Sequence, residues 1–123
     1  MNKIEEYVKS VSGKDRFEKR ENLANWLQAF WRNDPDCEGL TVKKINLPNN
    51  EFMQMVYFQA YNKSYVWIDY VRDNLLDTSR LEYIDDELEA HIIFDDDFGV
   101  IPAFDLFADL ASVYGVVDVL IIN

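Results

Sequence analysis

The last third of this chain has no positively charged side chain. All 12 Lys and Arg residues of the 123-residue chain lie within residues 1–80, together with 12 of its 23 acidic residues. Residues 81–123 hold the other 11 acidic residues, so the formal net charge of −11 arises entirely from that segment. A surface this acidic repels nucleic acid and anionic membranes and attracts basic surfaces or cations. We therefore expect neither nucleic acid nor a membrane as the partner.

Cysteine, histidine, glycine and proline are also scarce. The single cysteine, Cys37, excludes an internal disulfide and suits a reducing cytoplasm. With one histidine, His91, and no CxxC pair, the chain offers little material for a zinc site, and we expect no cofactor. The 4 Gly and 3 Pro residues form no linker, which favours a single domain over residues 1–123. We see no secretory signal, and the longest apolar run is too short to span a bilayer, so we expect a cytoplasmic protein.

The N-terminal and middle segments show two different periodicities. Apolar residues at helical spacing predict a helix over 3–11 and a second one that begins at Asp15 and ends near Asn33. Three aromatic and β-branched segments then predict an antiparallel meander joined by a turn at 62–64, and these segments are 41–47, 52–61 and 65–71. A helix over 64–76, capped by Ser64, is an alternative for the third segment.

The C-terminal segment predicts a strand, a helix and a strand. Short strands are expected at 81–85 and 88–94, and 116–122 is expected to be a strand buried on both faces. A helix over 103–114 would end at Gly115 and carry one apolar face, made of Phe104, Phe107, Ala108, Ala111 and Tyr114. This order fits a βαβ unit with parallel strands. The predicted fold is therefore α+β: two N-terminal helices, a mixed sheet with a central antiparallel meander, and a C-terminal strand–helix–strand.

The segment HIIFDDDFGVIP, residues 91–102, invites enzymatic interpretations that the rest of the chain does not support. Asp97 begins the Asp-Phe-Gly triplet of kinases, but the glycine-rich loop and the catalytic loop are missing. Asp95 and Asp97 match the Asp-x-Asp spacing of haloacid dehalogenases, but no lysine follows. An EF-hand loop fails at its fifth and twelfth positions.

Other residues give no support for catalysis either. Acidic neighbours should raise the thiol pKa of Cys37 and make it a poor nucleophile. We expect His91 to be packed rather than to act as a base. The chain is therefore predicted not to be an enzyme. A divalent-cation site, or a small acid-dependent enzyme, that uses Asp95 and Asp97 remains the alternative.

The remaining interpretation is recognition of a basic protein. Acidic residues come directly before and after strand 88–94, and two more lie at i and i+4 on the following helix. Phe98 lies beside them as an aromatic anchor. The predicted partner-binding residues are Asp85, Asp86, Glu87, Glu89, Asp95, Asp96, Asp97, Phe98, Asp105 and Asp109. Burial of the aromatic meander (52–71) in a homodimer is a further possibility.

The closing segment LFADLASVYGVVDVLIIN, residues 106–123, is similar to the helix–strand ending of barstar, a bacterial immunity protein. The chain also resembles the small acidic toxin-immunity proteins of bacteria in size and charge. This resemblance implies a non-enzymatic protein that neutralises a basic, nuclease-like toxin by covering its active site. Two helices precede any strand here, unlike the opening of barstar, so no contact residue is carried over.

Overall fold

A computed structural model describes residues 2–96 and 103–119. These residues form three helices and six strands. In chain order they are α1 (Lys3–Ser10), α2 (Arg16–Asn33), β1 (Cys37–Leu47), β2 (Glu51–Ala60), β3 (Lys63–Arg72), β4 (Leu75–Ile84), β5 (Ala90–Asp96), α3 (Ala103–Tyr114) and β6 (Val117–Val119). The α+β class, the two N-terminal helices, the antiparallel meander and the C-terminal strand–helix–strand order are thereby confirmed.

The six strands form one sheet in the order β5-β4-β3-β2-β1-β6. Every neighbouring pair is antiparallel, so the sheet is not mixed within the described residues. The prediction of a parallel βαβ pair is wrong, because β5 and β6 lie at opposite edges and run in opposite directions. A strand–helix–strand order in sequence leaves open which edge the last strand joins, and here the chain returns to β1.

Tight turns join the strands of the meander. Tyr61 and Asn62 connect β2 to β3, and Asp73 and Asn74 connect β3 to β4. All four have φ between 51° and 63°, the left-handed pair typical of a two-residue hairpin turn. The helix considered for 64–76 is therefore wrong, since that segment supplies β3 and the start of β4.

The two N-terminal helices cover one face of the sheet. The Asp15 carboxylate accepts a hydrogen bond from the Glu18 amide at 3.0 Å and so caps α2 at the residue where the sequence predicted the helix to begin. Ile4, Leu23 and Leu27 are fully buried against the sheet. On the strands, the same core continues through one face, with Val42, Val56, Phe58, Ala60, Tyr65, Trp67 and Leu81.

Helix α3 lies against the opposite face. Phe107 is buried there among Ile45, Met53 and Ile68. The predicted apolar face of this helix is confirmed at Phe107 and Ala111 and wrong at Ala108 and Tyr114, which are exposed. Leu106 and Leu110, which the prediction left out, pack against the core. The side chain of Phe104 lies outside the described residues.

Strand β6 is exposed along its described length. Val117 is 52% exposed and Val119 is 43% exposed, so the prediction of burial on both faces is wrong for these residues. The strand is the outer neighbour of β1 and has no further strand beyond it in the described sheet. Gly115, with φ of +81°, ends α3 as predicted. None of the helices within the described ranges is long and apolar enough to cross a membrane.

Candidate functional site

Four of the predicted acidic residues lie together in the turn between β4 and β5. Asp86, Glu87 and Glu89 are exposed and Asp85 is half-buried. The Asp85 Oδ1 atom accepts hydrogen bonds from the backbone amides of Glu87 at 2.9 Å and Glu89 at 3.1 Å. The Asp85 side chain therefore stabilises the turn, and the carboxylates of Asp86, Glu87 and Glu89 are exposed to solvent.

Leu88 is at the tip of this acidic turn. Its side chain is 84% exposed, and its backbone has φ of +62°. That left-handed conformation is costly for a branched residue. The hairpin turn itself calls for this conformation, since it is closed by hydrogen bonds from Leu88 N–H to Asp85 O at 3.0 Å and from Asp85 N–H to Glu89 O at 3.2 Å. It does not call for an exposed leucine at that position, where glycine would fit at lower cost.

His91 lies beside Asp85 rather than in the core. Its Nε2 atom is 2.7 Å from Asp85 Oδ2, and its ring stacks on Tyr83 with centroids 4.8 Å apart. The hydrogen bond to His91 and the backbone amides hold the pKa of Asp85 below its usual value. The side chain of His91 is 40% exposed, so it is packed on one face only. Asp85, Glu89 and His91 offer ligand atoms within 4.8 Å of one another, an arrangement that a divalent cation could use.

Asp95 and Asp96 lie at the other end of β5 from the turn. Arg80 holds Asp95 with two hydrogen bonds, Nε to Oδ1 at 3.2 Å and an Nη to Oδ2 at 3.0 Å. Arg20 donates to Asp96 Oδ2 at 2.7 Å, and both side chains are only 5% exposed. The segment that lacks basic residues in sequence therefore receives them in space from α2 and β4. A partner that bound Asp96 would compete with Arg20 and with Arg16, whose Nη1 atom is 3.5 Å from Asp96 Oδ1.

The remaining predicted residues fall into two groups. Asp97 and Phe98 lie outside the described residues. Asp105 and Asp109 are exposed on α3. Burial raises the pKa of Glu82, Arg80 opposes this shift, and Asp105 and Asp95 add to it. Asp105 and Asp95 are therefore both close to Glu82, on the α3 face and away from the turn.

The thiol pKa of Cys37 is raised, as predicted from the sequence, but its main cause is different. Burial, more than its acidic neighbours, raises the pKa of the thiol to about 11, with Asp34 and Glu38 adding to the shift. A thiol that stays protonated at neutral pH is a poor nucleophile.

A cavity beside α2 was not predicted from the sequence. It has a volume of about 150 Å³ and is lined by Gln28, Trp31, Arg32, Gln54, Trp67 and Asp69. Side chains alternate between the two faces of β3, so Trp67 and Asp69 lie on the same face. Their spacing is the feature of the sequence that could have indicated the cavity. The sequence does not tell which face of β3 a helix covers, so the signal was not usable alone.

No family model, no curated protein and no solved structure matches this chain.

Proposed function

We propose that this chain is a non-enzymatic binding protein that recognises a basic protein through the acidic turn between β4 and β5. In its most specific form, the proposal is an immunity protein that neutralises a basic, nuclease-like toxin. The observation that carries the proposal is Leu88, 84% exposed with φ of +62° at the tip of a turn that bears four carboxylates. An apolar centre surrounded by a polar rim is the usual composition of a protein–protein interface.

The mechanism we propose is occlusion. The exposed carboxylates of Asp86, Glu87 and Glu89 would pair with Lys and Arg of the partner, in the place of substrate phosphates. Charge of one sign gathered in a turn costs folding energy and accelerates encounter with a surface of the opposite sign. Leu88 would then enter an apolar depression in the partner, which gives the complex its slow dissociation.

The test is a triple charge reversal of Asp86, Glu87 and Glu89 to Lys. Tagged protein is incubated with lysate of the organism that encodes the chain, at low and high salt, and captured proteins are identified by mass spectrometry. We expect one basic protein, held at low salt and weakened by salt. Since an exposed ion pair contributes about 0.5–1 kcal/mol, three reversals should weaken its binding about 10- to 100-fold.

The control changes the net charge equally at other places. Glu6, Glu21 and Glu38 are exposed elsewhere on the chain, and their reversal to Lys should leave capture of the same protein intact. Equal loss in both triple variants would mean that only net charge matters and that the turn is not the binding surface. Asp95 and Asp96 are unsuitable targets, because their internal partners make a loss of binding inseparable from a loss of folding.

A divalent-cation site at the same turn is the second candidate function. It moves the expected ligands from Asp95 and Asp97 to Asp85, Glu89 and His91, whose ligand atoms lie within 4.8 Å of one another. Capture of a basic partner that persists in EDTA supports occlusion by the carboxylates themselves. Capture that disappears with EDTA and returns with calcium or zinc would favour the cation site.

A further inference from the structure

The cavity beside α2 contains a carboxylate that the proposed function does not use. Asp69 Oδ1 accepts a hydrogen bond from Ser79 Oγ at 2.6 Å, and Oδ2 accepts one from Trp67 Nε1 at 2.9 Å. Both donors are neutral. Each carboxylate oxygen can accept a second hydrogen bond, so Asp69 retains acceptor capacity and its charge.

Asp96, a carboxylate in the same cross-strand row as Asp69, forms a buried ion pair and serves as a comparison. Asp69 pairs in register with Ser79, and Ser79 pairs with Asp96. Asp96 receives Arg20 directly at 2.7 Å. Arg20 acts on Asp69 only through space, by lowering its pKa as the weakest of several influences. The fold thus neutralises Asp96 by direct contact and leaves Asp69 with neutral partners at a cavity.

The walls of the cavity complement a cationic group. Trp31 and Trp67 supply aromatic surface, and a cation placed over the face of either ring would be attracted to it. Gln28 and Gln54 supply amide oxygens that can accept further N–H groups. With a volume of about 150 Å³, the cavity suits a small group rather than a large cofactor.

We propose that this cavity binds a small organic cation with N–H donors, of the guanidinium or alkylammonium class, with Asp69 as its acceptor and Trp31 and Trp67 as its walls. The cation is either a free small molecule or the side chain of an Arg or Lys on another protein. The site lies at the end of the sheet opposite the acidic turn, roughly 20 Å away at ~3.3 Å per strand residue. It therefore stands or fails independently of the proposed function.

Arg32 offers a test of the charge of the ligand. Its side chain is exposed on α2 and lines the same cavity. A positive charge there opposes a cation and favours an anion. Arg32→Gln should therefore strengthen binding of a cation, by about two- to fivefold for one screened charge. If the variant instead weakened binding of a cationic probe, the proposal would be wrong.

The three tryptophans provide a direct readout. The Trp67 indole N–H bonds to Asp69, and the Trp31 indole N–H is buried without a hydrogen-bond partner in the described part of the chain. Trp26 stacks between Tyr7 and Phe30 and does not line the cavity. In a ¹H–¹⁵N spectrum, a ligand in the cavity should shift the indole signals of Trp31 and Trp67 and leave that of Trp26 in place.

The experiment titrates the full chain with three probes of similar size at constant ionic strength. These are methylguanidinium chloride, the neutral N-methylurea and sodium acetate. We expect saturable shifts of the Trp31 and Trp67 signals with methylguanidinium alone. Saturable shifts with acetate or equal shifts with all three probes would overturn the proposal, as would no saturable shift with methylguanidinium.

Two variants localise the effect. Asp69→Asn keeps the shape of the side chain and should weaken methylguanidinium binding about tenfold or more, because it removes the charge that faces the cation. Asp73→Asn makes the same change of net charge at an exposed turn and should stay within about twofold of the parent chain. Equal affinity of the Asp69→Asn variant and the parent would show that the cation binds elsewhere.

A final comparison separates the two sources of the cation. Free L-arginine should bind more tightly if the natural ligand is a small molecule, and a capped Gly-Arg-Gly tripeptide should bind more tightly if it is a protein side chain. Both orders support a cation site. Failure of both compounds to bind saturably would contradict it.

Discussion

At the scale of single residues, cross-strand neighbours rather than sequence neighbours decide what each carboxylate does. Asp95 and Asp96 are adjacent in the chain but face opposite sides of the sheet, where different arginines hold them. Arg20 and Asp96 are 76 residues apart, and no pattern in the sequence connects them. The acidic excess of residues 81–123 was visible from composition, whereas its partial neutralisation depends on register and could not be predicted.

Asp69 should make the stability of the protein depend on pH in a direction opposite to most carboxylates. Burial raises its pKa from 3.8 to about 6 in the folded state, against the hydrogen bonds from Ser79 and Trp67. A carboxylate with a raised folded-state pKa stabilises the fold fully below pH 3.8, and this stabilisation is lost as pH rises through about 6. The charged form at neutral pH is therefore a cost that the fold carries.

Relative to the parent chain, the Asp69→Asn variant should gain stability between pH 4 and pH 7.5. We expect the difference in free energy of unfolding between variant and parent to be about 1–3 kcal/mol more favourable to the variant at pH 7.5. Urea unfolding of both proteins at the two pH values measures this quantity. Other carboxylates, such as Asp85 with its lowered pKa, titrate in both proteins and cancel. A stability difference that stays constant between the two pH values would mean that Asp69 has no raised pKa.

At the scale of elements, the helices and the meander were predictable, but the extent of β4 was not. The sequence predicted a strand only at 81–85, whereas β4 begins at Leu75. Ser79, Arg80 and Glu82 are buried polar residues within it, and they hide the alternation of apolar and polar residues on which the prediction rests. Cross-strand partners satisfy these groups, for example Asp95 for Arg80, and those partners become visible only once the register is known.

Leu88, in the hairpin of β4 and β5, should have opposite effects on the stability of the chain and on partner binding. Leu88 is 84% exposed, so little packing is lost when its side chain is removed. Glycine adopts a φ of +62° without the steric cost of a leucine, so Leu88→Gly should stabilise the chain by up to about 1 kcal/mol. The same variant should dissociate faster from the basic partner, because it lacks the anchor.

Thermal unfolding and a binding assay on the same preparation test both halves of this prediction. Leu75→Gly is a matched control, since Leu75 is 72% exposed and lies away from the turn. That variant should leave partner binding unchanged. A Leu88→Gly protein that bound the partner as tightly as the parent would remove the observation on which the proposed function rests.

At the scale of the whole molecule, the charge balance should make the fold sensitive to salt. A net charge of −11 on 123 residues produces self-repulsion that is strongest at low ionic strength. The Arg20–Asp96 pair is only 5% exposed on both sides and is screened little. Salt should therefore weaken repulsion among the exposed carboxylates more than it weakens this internal pair.

We expect the melting temperature to rise by a few degrees between about 10 mM and 300 mM NaCl, as surface repulsion is screened. Differential scanning calorimetry measures this change. The Asp86, Glu87 and Glu89 reversal should show a smaller rise, because it brings the net charge closer to zero. A melting temperature that fell with salt would indicate that exposed ion pairs outweigh repulsion in this protein.

The order of the sheet also determines how the chain can fold. Strands β1 to β5 pair with their neighbours in sequence, so each hairpin closes a short loop and can form early. Strand β6 pairs Val117 with Lys44 and Val119 with Val42, which are 73 and 77 residues apart in the chain. Among the strand pairs, closing that long loop costs the most conformational entropy, and the described part of β6 contributes a ladder of three residues. The C-terminal edge is therefore the part of the sheet that joins last in folding and opens first under native conditions, which exposes the edge of β1 without unfolding the meander.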